Sequence, residues 1–142
     1  MKARFALSIL TTALTLSFAT AKEVEWKKHL PGKYKLTYSG TFLSLEAVKS
    51  YHSDGTYESV GKAKILGIEK KLVHRGRWKL QNGELIYILS QSSTPSNAPI
   101  GVPLKFKVLS HDGKTLRYRD QKRNKNYSEK RIGDAKKEVN AK

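Results

Sequence analysis

Hydrophobic and polar residues alternate with a period of two along most of the chain after residue 30. In segment 32–39, Tyr34, Leu36 and Tyr38 share one side, and lysine and threonine occupy the other. Segment 104–110 repeats the pattern with aromatic and aliphatic residues opposite lysines. This alternation is typical of β-strands that bury one face. The pattern therefore predicts strands with an apolar face and a cationic face.

Three two-residue turn signals divide these segments, namely Asp54-Gly55, Asn82-Gly83 and Asp112-Gly113. Asn, Asp and Gly tolerate the positive φ angles that tight hairpin turns require. Filling the chain between the turns predicts eight strands, A to H, and no helix in the core. Their ranges are 32–39, 43–52, 56–63, 73–80, 84–90, 104–110, 115–119 and 126–131.

Two of the predicted strands do not alternate cleanly. Strand E (84–90) is apolar on both faces, which indicates either a covered outer face or an exposed apolar patch. Strand B (43–52) mixes apolar and polar residues on both faces, so the pattern does not say which face is buried.

A sheet of eight hairpin-connected strands has two unpaired edges, and closing it into a barrel removes both. The predicted fold is therefore all-β, an eight-stranded antiparallel up-and-down β-barrel, with an open sandwich as the alternative. Eight strands enclose an interior that side chains can fill or that can hold one small ligand.

The first 21 residues have the three parts of a secretory signal peptide. Lys2 and Arg4 form a basic start, residues 5–18 are an apolar run, and Ala-Thr-Ala at 19–21 offers a cleavage site. The apolar run is short for a membrane span, and a retained anchor is the alternative. The prediction is an exported, periplasmic or secreted protein with a domain at 22–132 and a polar tail at 133–142.

The chain carries 28 Lys and Arg against 12 Asp and Glu, a formal net charge of +16, and it has no cysteine. The charge predicts attraction to anionic partners. The lack of cysteine excludes disulfides and thiolate metal sites, so an exported domain must depend on its core. At this length a core of sufficient size is expected.

Three stretches resemble the small bacterial lipocalin-like domains of the calycin group. They are LPGKYKL at 30–36, with Tyr34 in the place of the lipocalin tryptophan, YHSDGTY at 51–57 and GRWKLQNGELIYI at 76–88. The resemblance implies an up-and-down barrel with a ligand cup, and binding more often than catalysis. It also implies that Arg131 matches the arginine that packs over the first-strand aromatic side chain in lipocalins. The sequence leaves open whether Arg131 stacks on Tyr34, on Trp78 or on neither.

In a meander the connections alternate between the two ends of the barrel. The three tight turns share one end, and the longer connections, about 64–72 and 91–103, share the other. Long ordered loops tend to carry function. The sequence therefore predicts a ligand site at the loop-rich mouth for a small hydrophobic or amphipathic molecule, with anionic ligands favoured by the charge. The candidate ligand-binding residues are Tyr34, Tyr51, Tyr57, His74, Trp78, Tyr87, Phe106, Tyr118 and Arg131.

Each of these candidates has a structural alternative. The aromatic side chains can simply fill the interior. His74 can be a core histidine with a satisfied hydrogen bond, and Arg131 can be a structural lid held by a cation–π contact.

Strands F, G, H and A should be neighbours in a closed barrel, and their outer faces carry a run of cations. This basic wall predicts docking on an anionic membrane surface or cell-wall polymer, and a solvated face is the alternative. Nucleic acid would also be attracted by this charge, but an exported protein is not expected to meet it. The residues of the basic wall are Lys33, Lys35, Lys105, Lys107, Arg117, Arg119 and Lys130.

The sequence predicts no enzyme, no cofactor and no metal site. Ser, His and Asp occur together at 52–54 and 110–112, but neighbours on a strand point to opposite faces, and turn chemistry accounts for both segments. The four histidines lack the spacing of a metal site, although His52 and His111 precede turns at the same barrel end. A monomer is expected.

Overall fold

The computed structural model describes residues 21–135, and those residues form one closed β-barrel. Eight antiparallel strands follow one another around the barrel, and β8 pairs with β1 to close it. The all-β up-and-down barrel predicted from the sequence is confirmed. The strands are β1 (Gly32–Ser39), β2 (Leu43–Tyr51), β3 (Thr56–Ile65), β4 (Ile68–Gln81), β5 (Glu84–Ser92), β6 (Leu104–His111), β7 (Thr115–Asp120) and β8 (Lys125–Gly133).

The predicted signal peptide, apart from its last residue, and the end of the polar tail at 136–142 lie outside the described residues. None of the helical segments within 21–135 has the length and apolar character needed to cross a bilayer.

The prediction of a long loop at 64–72 is wrong. β3 and β4 continue almost to each other and are joined by a two-residue turn at Leu66 and Gly67, with Ile65 paired to Ile68. Leu66 adopts φ 48° and Gly67 φ 84°, the left-handed backbone of a tight hairpin. The turn escaped sequence analysis because leucine is a poor former of this conformation.

The two ends of the barrel differ in how they are covered. The β2–β3, β4–β5 and β6–β7 turns form one end, which we call the closed end because a helix at 21–29 covers it. The Gly83 backbone N–H donates to Glu23 Oε2 at 3.0 Å, which ties this helix to the β4–β5 turn. Leu30, which follows the helix, is fully buried, and Trp26 packs against the core. The sequence indicated no helix here, since the segment shows no apolar period of its own.

Alternation along the strands sorts the side chains as the sequence predicted. Tyr34 and Leu36 in β1, and Leu116 and Tyr118 in β7, point inward and are buried, while their lysine and arginine neighbours are exposed. In β5 the outer face is partly covered, since Ile86 is 5% exposed and Ile88 is 39% exposed. Ile86 lies opposite Lys79 and Lys105 in the ladders, and their aliphatic stems can cover it.

Candidate functional site

The inner wall of the barrel is partly accessible in the half opposite the helix, which we call the open half. Six inward-facing side chains there are only half-buried, whereas their counterparts in the closed half are buried. We call these six half-buried side chains of the inner wall the cup. The residues of the cup are Tyr38, Leu45, His74, Leu104, Phe106 and Tyr127.

An ion pair lies beneath the cup, in the middle of the barrel. Lys49 Nζ is 2.5 Å from Glu129 Oε1 and donates to the Tyr118 hydroxyl at 2.8 Å. The Glu129 side chain is fully buried and that of Lys49 is 11% exposed. The pair joins β2 to β8 at the level where the packed interior ends.

Two tyrosine hydroxyls complete the hydrogen bonding of this pair, and a third bonds one of them. Tyr118 donates to Glu129 Oε1, and Tyr51 donates to Glu129 Oε2 at 2.9 Å. The Tyr51 and Tyr87 hydroxyls are 2.6 Å apart. Both carboxylate oxygens of Glu129 therefore have partners, as a buried charge requires.

Burial and the charge of Glu129 keep Lys49 and the three tyrosine hydroxyls in one protonation state at neutral pH. Burial alone would lower the pKa of Lys49, but the negative charge of Glu129 outweighs it and holds that pKa above its ordinary value. Burial, reinforced by the Glu129 charge, raises the pKa of Tyr51, Tyr87 and Tyr118 well above the ordinary value. Lys49 is therefore a cation and the three hydroxyls are neutral.

His74 lies on the wall of the cup and contacts the long β5–β6 connection. Its Nε2 is 3.0 Å from the Thr94 hydroxyl. Burial, and then the positive charge of Lys49, lowers the pKa of His74 below its ordinary value of 6.5. His74 is therefore a neutral imidazole at pH 7.

The β5–β6 connection folds back along the open end of β5. Ile100 forms a parallel bridge with Leu89, and the Gly101 N–H donates to the Leu89 carbonyl at 2.9 Å. Ala98 packs against the core cluster. This connection, predicted from the sequence as a functional loop, thus forms one side of the mouth.

A continuous chain of aromatic rings runs from the closed end of the barrel to the cup. Successive ring centroids along it are 5.4–6.5 Å apart, the range in which edge-to-face and offset contacts are favourable. Tyr57 and Trp78 join it from the side through Tyr51. The chain is Tyr34, Tyr51, Tyr87, Phe106, Tyr118, Tyr127 and Tyr38.

Apart from Arg131, the candidate ligand-binding residues therefore separate into two groups. His74 and Phe106 border the cup. Six aromatic candidates fill the interior below it, and each is 9% exposed or less. Those six are Tyr34, Tyr51, Tyr57, Trp78, Tyr87 and Tyr118.

Arg131 lies at the closed end, away from the cup. Its guanidinium carbon is 5.8 Å from the centre of the Tyr34 ring, and Nη1 donates to the His29 carbonyl at 2.9 Å. A Cβ built on Gly32 would lie 2.8 Å from that guanidinium carbon, so glycine makes room for the arginine. Of the partners left open by the sequence, Tyr34 is the one observed. The cation–π contact joins β8 to β1, and the hydrogen bond to His29 joins β8 to the helix.

Lys49 and Glu129, the two charged groups beneath the cup, were not predicted from the sequence. Both occupy inward positions of their strands, Lys49 between Ala47 and Tyr51, and Glu129 between Tyr127 and Arg131. A charged residue at an inward position was the available signal. In strand B this signal alone indicates only that both faces are mixed.

The basic wall consists of exposed side chains on four consecutive strands, β6, β7, β8 and β1. Lys107 stands directly opposite Arg119, and Lys35 directly opposite Lys130. Lys35 also pairs with Glu46 at 2.7 Å across the β1–β2 ladder. Like charges directly opposite one another weaken a sheet, an effect that Glu46 offsets at Lys35.

A concave surface lies outside the barrel, at the closed end. It is a groove of about 550 Å³ between the helix and the closed-end turns, lined by Lys27, Lys28, Lys79 and an edge of Trp78. Within residues 21–135 no three His, Asp or Glu side chains come close enough together to hold a metal ion.

Comparison of the chain with models of known protein families and with curated proteins finds no match.

Proposed function

We propose that the cup binds a small amphipathic molecule, with its polar group above Lys49 and beside His74. The apolar part would contact Leu45, Leu104 and Phe106. The observation that carries the proposal is the asymmetry of the interior: the closed half is packed and sealed by a helix, and the open half leaves apolar and aromatic walls half-exposed. Apolar walls with a few placed polar groups are typical of small-molecule sites.

The buried ion pair supports the same proposal. A core needs no ion pair, because well-packed apolar residues of similar volume are usually at least as stabilising. A cation fixed by Glu129 and the Tyr118 hydroxyl is, in contrast, a preorganised hydrogen-bond donor beneath the half-buried side chains of the cup. The role is proposed as binding rather than catalysis, since Lys49 and His74 are each engaged by a neighbouring side chain.

Membership of the lipocalin-like group and export belong to the same proposal. The barrel topology and the stacking of Arg131 on Tyr34 support the first. The basic start and apolar run of the first 21 residues support the second.

Filling the cup should abolish binding. With a dansyl-labelled medium-chain fatty acid as probe, wild-type protein should give saturable fluorescence enhancement. Leu45→Trp should weaken the affinity at least about tenfold, a free-energy change of about 1.4 kcal/mol, because the indole would occupy the probe's volume. Ile88→Trp, on the outer face of β5, is the matched control and should bind as wild type does. No saturable binding, or equal binding by both variants, would refute the cup.

A second candidate function is docking of the basic wall on an anionic polymer, favoured by the like-charge pairs Lys107–Arg119 and Lys35–Lys130. Lys105→Glu with Arg117→Glu should markedly lower the salt concentration at which the protein elutes from a polyanion resin. Lys27→Glu with Lys28→Glu changes the net charge equally at the closed end. If both double variants elute together, only net charge matters and the wall has no special role.

A further inference from the structure

The rim of the open end carries the most exposed apolar side chains of the described residues. Leu66 is 72% exposed, Phe42 70% and Ile68 64%, and Ile65 beside them is 42% exposed. We call these four residues the apolar rim. The Leu66 N–H donates to the Phe42 carbonyl at 3.0 Å, so the β1–β2 and β3–β4 turns hold the rim together as one unit.

On the β5 side, the hairpin that carries the rim projects beyond its neighbouring strand. β4 starts at Ile68, but its ladder with β5 starts only at His74 and Val73 hydrogen-bonds Ser93, so residues 68–72 pair with β3 alone. The β3–β4 hairpin therefore extends past its neighbour β5. A projecting hairpin can enter a surface that the barrel itself does not penetrate.

Leu66 conflicts with the needs of its turn. The same barrel makes another tight turn at Asn82 and Gly83, with φ 54° and 72°, against 48° and 84° at Leu66 and Gly67. Asparagine suits this left-handed conformation, and leucine is strained in it. Leu66 is also exposed, so burial does not compensate for the strain. An exposed, strained leucine at a hairpin tip points to a partner that takes up its side chain.

Lysines surround the base of this tip. Lys62, Lys64, Lys70 and Lys71 are exposed on the two strands of the hairpin, with Glu69 as the acidic residue among them. Lys62 stands directly opposite Lys71 in the ladder, a repulsive pair in water. Its contact with Glu69, at 3.6 Å between exposed side chains, is of the weak surface type.

We propose that the apolar rim inserts into the interface of an anionic lipid bilayer, with the four lysines at the level of the head groups. Apolar side chains that penetrate the interface, backed by cations that face anionic lipids, are the two attractions that hold proteins on membranes. The positive charge of these four lysines complements a negatively charged surface. Docked in this way, the mouth of the barrel faces the bilayer. Rim docking does not require that the cup hold a ligand.

The test removes the rim without harming the fold. In Phe42→Ser, Leu66→Asn, Ile68→Thr, the asparagine should relieve turn strain, so the melting temperature should equal or exceed that of wild type. Binding to vesicles of equal phosphatidylglycerol and phosphatidylcholine, measured by flotation, should fall at least about tenfold. Wild type should bind vesicles of phosphatidylcholine alone more weakly, because the lysines lose their counter-charge.

The matched control removes three exposed apolar side chains from the outer wall instead. Val60→Thr, Ile88→Thr, Leu109→Asn should bind the mixed vesicles as wild type does. Ile68→Trp should show a blue-shifted emission on these vesicles and quenching by brominated lipid.

Several results would overturn the proposal. They are no binding by wild type, equal binding by wild type and rim variant, equal loss in the outer-wall control, or an unquenched Ile68→Trp. Loss of vesicle binding only on reversal of Lys105 and Arg117 would assign the contact to the basic wall. A rim that instead pairs with a second copy would give a concentration-dependent dimer without vesicles. Failure of the rim leaves the cup intact, because fatty-acid probe binding reports on the cup separately.

Discussion

Glu129→Gln should reduce the free energy of unfolding by about 3–5 kcal/mol, because it leaves the Lys49 ammonium buried without its counter-charge. Glutamine keeps the shape but only one acceptor oxygen, so the loss combines the missing charge with the loss of an acceptor for either Tyr51 or Tyr118. Urea denaturation measures it. The control is Glu46→Gln, which breaks the exposed Lys35–Glu46 pair and should change stability by less than about 1 kcal/mol.

The pH dependence of this variant gives an independent check. In wild type the pKa of Lys49 is raised by folding, so its contribution is present below pH 10.5 and is lost as the pH rises through the folded value. In Glu129→Gln burial acts unopposed and lowers the pKa of Lys49, so the unfolded state binds more protons. Stability should then rise between about pH 7 and 9. A variant no less stable than Glu46→Gln would contradict the structural role of the pair.

The double variant Lys49→Met with Glu129→Gln should recover most of the loss, because no buried charge remains. In the cup proposal it should still bind the probe more weakly than wild type, since the donor below the ligand is gone. Restored stability with weaker binding separates the role of the pair in folding from its role in the site.

Gly76→Ala should destabilise the barrel by about 3 kcal/mol, the upper part of the range for overpacking. A Cβ at Gly76 would lie 2.2 Å from the Ile88 carbonyl oxygen and 2.7 Å from the Leu89 Cα. Both are backbone atoms of the paired strand β5, so no side chain can move away to make room. The ladder shifts register here, between Arg75 and Gly76. Thermal unfolding followed by circular dichroism measures the effect.

Gly133→Ala is the matched control for this prediction. It lies at the end of β8, where an added Cβ meets no atom within 4 Å. Its effect should stay within about 0.5 kcal/mol, as for ordinary surface substitutions. Equal melting temperatures for the two variants would mean that β4 and β5 are not so closely apposed.

Most of the barrel could be predicted from sequence because its signals are local. Alternation in β1, β6 and β7 and the Asn-Gly and Asp-Gly turns each act over a few residues. Two local features were missed for lack of a signal. The Leu66–Gly67 turn uses a residue that the conformation disfavours, and the helix at 21–29 depends on docking against the closed end rather than on its own periodicity.

The candidate site was less predictable because it depends on contacts between distant positions. Lys49 and Glu129 are 80 residues apart, and a polarity pattern assigns each alone to the surface. Whether aromatic side chains line a recess or fill a core is likewise a matter of depth along each strand. The sequence predicted that the side chains of Tyr87 and Phe106 point into the barrel. It did not predict that Tyr87 is buried and Phe106 only half-buried.

The pairing of β1 with β8 brings Lys33 and Leu36 beside Gly133 and Glu129. A nascent chain cannot make this seam until nearly all of the domain has left the ribosome. Strands formed earlier then have open edges, and the loop that closes the seam spans almost the whole barrel. Folding should accordingly be slow for a domain of this size, with a rate set by closure of this seam.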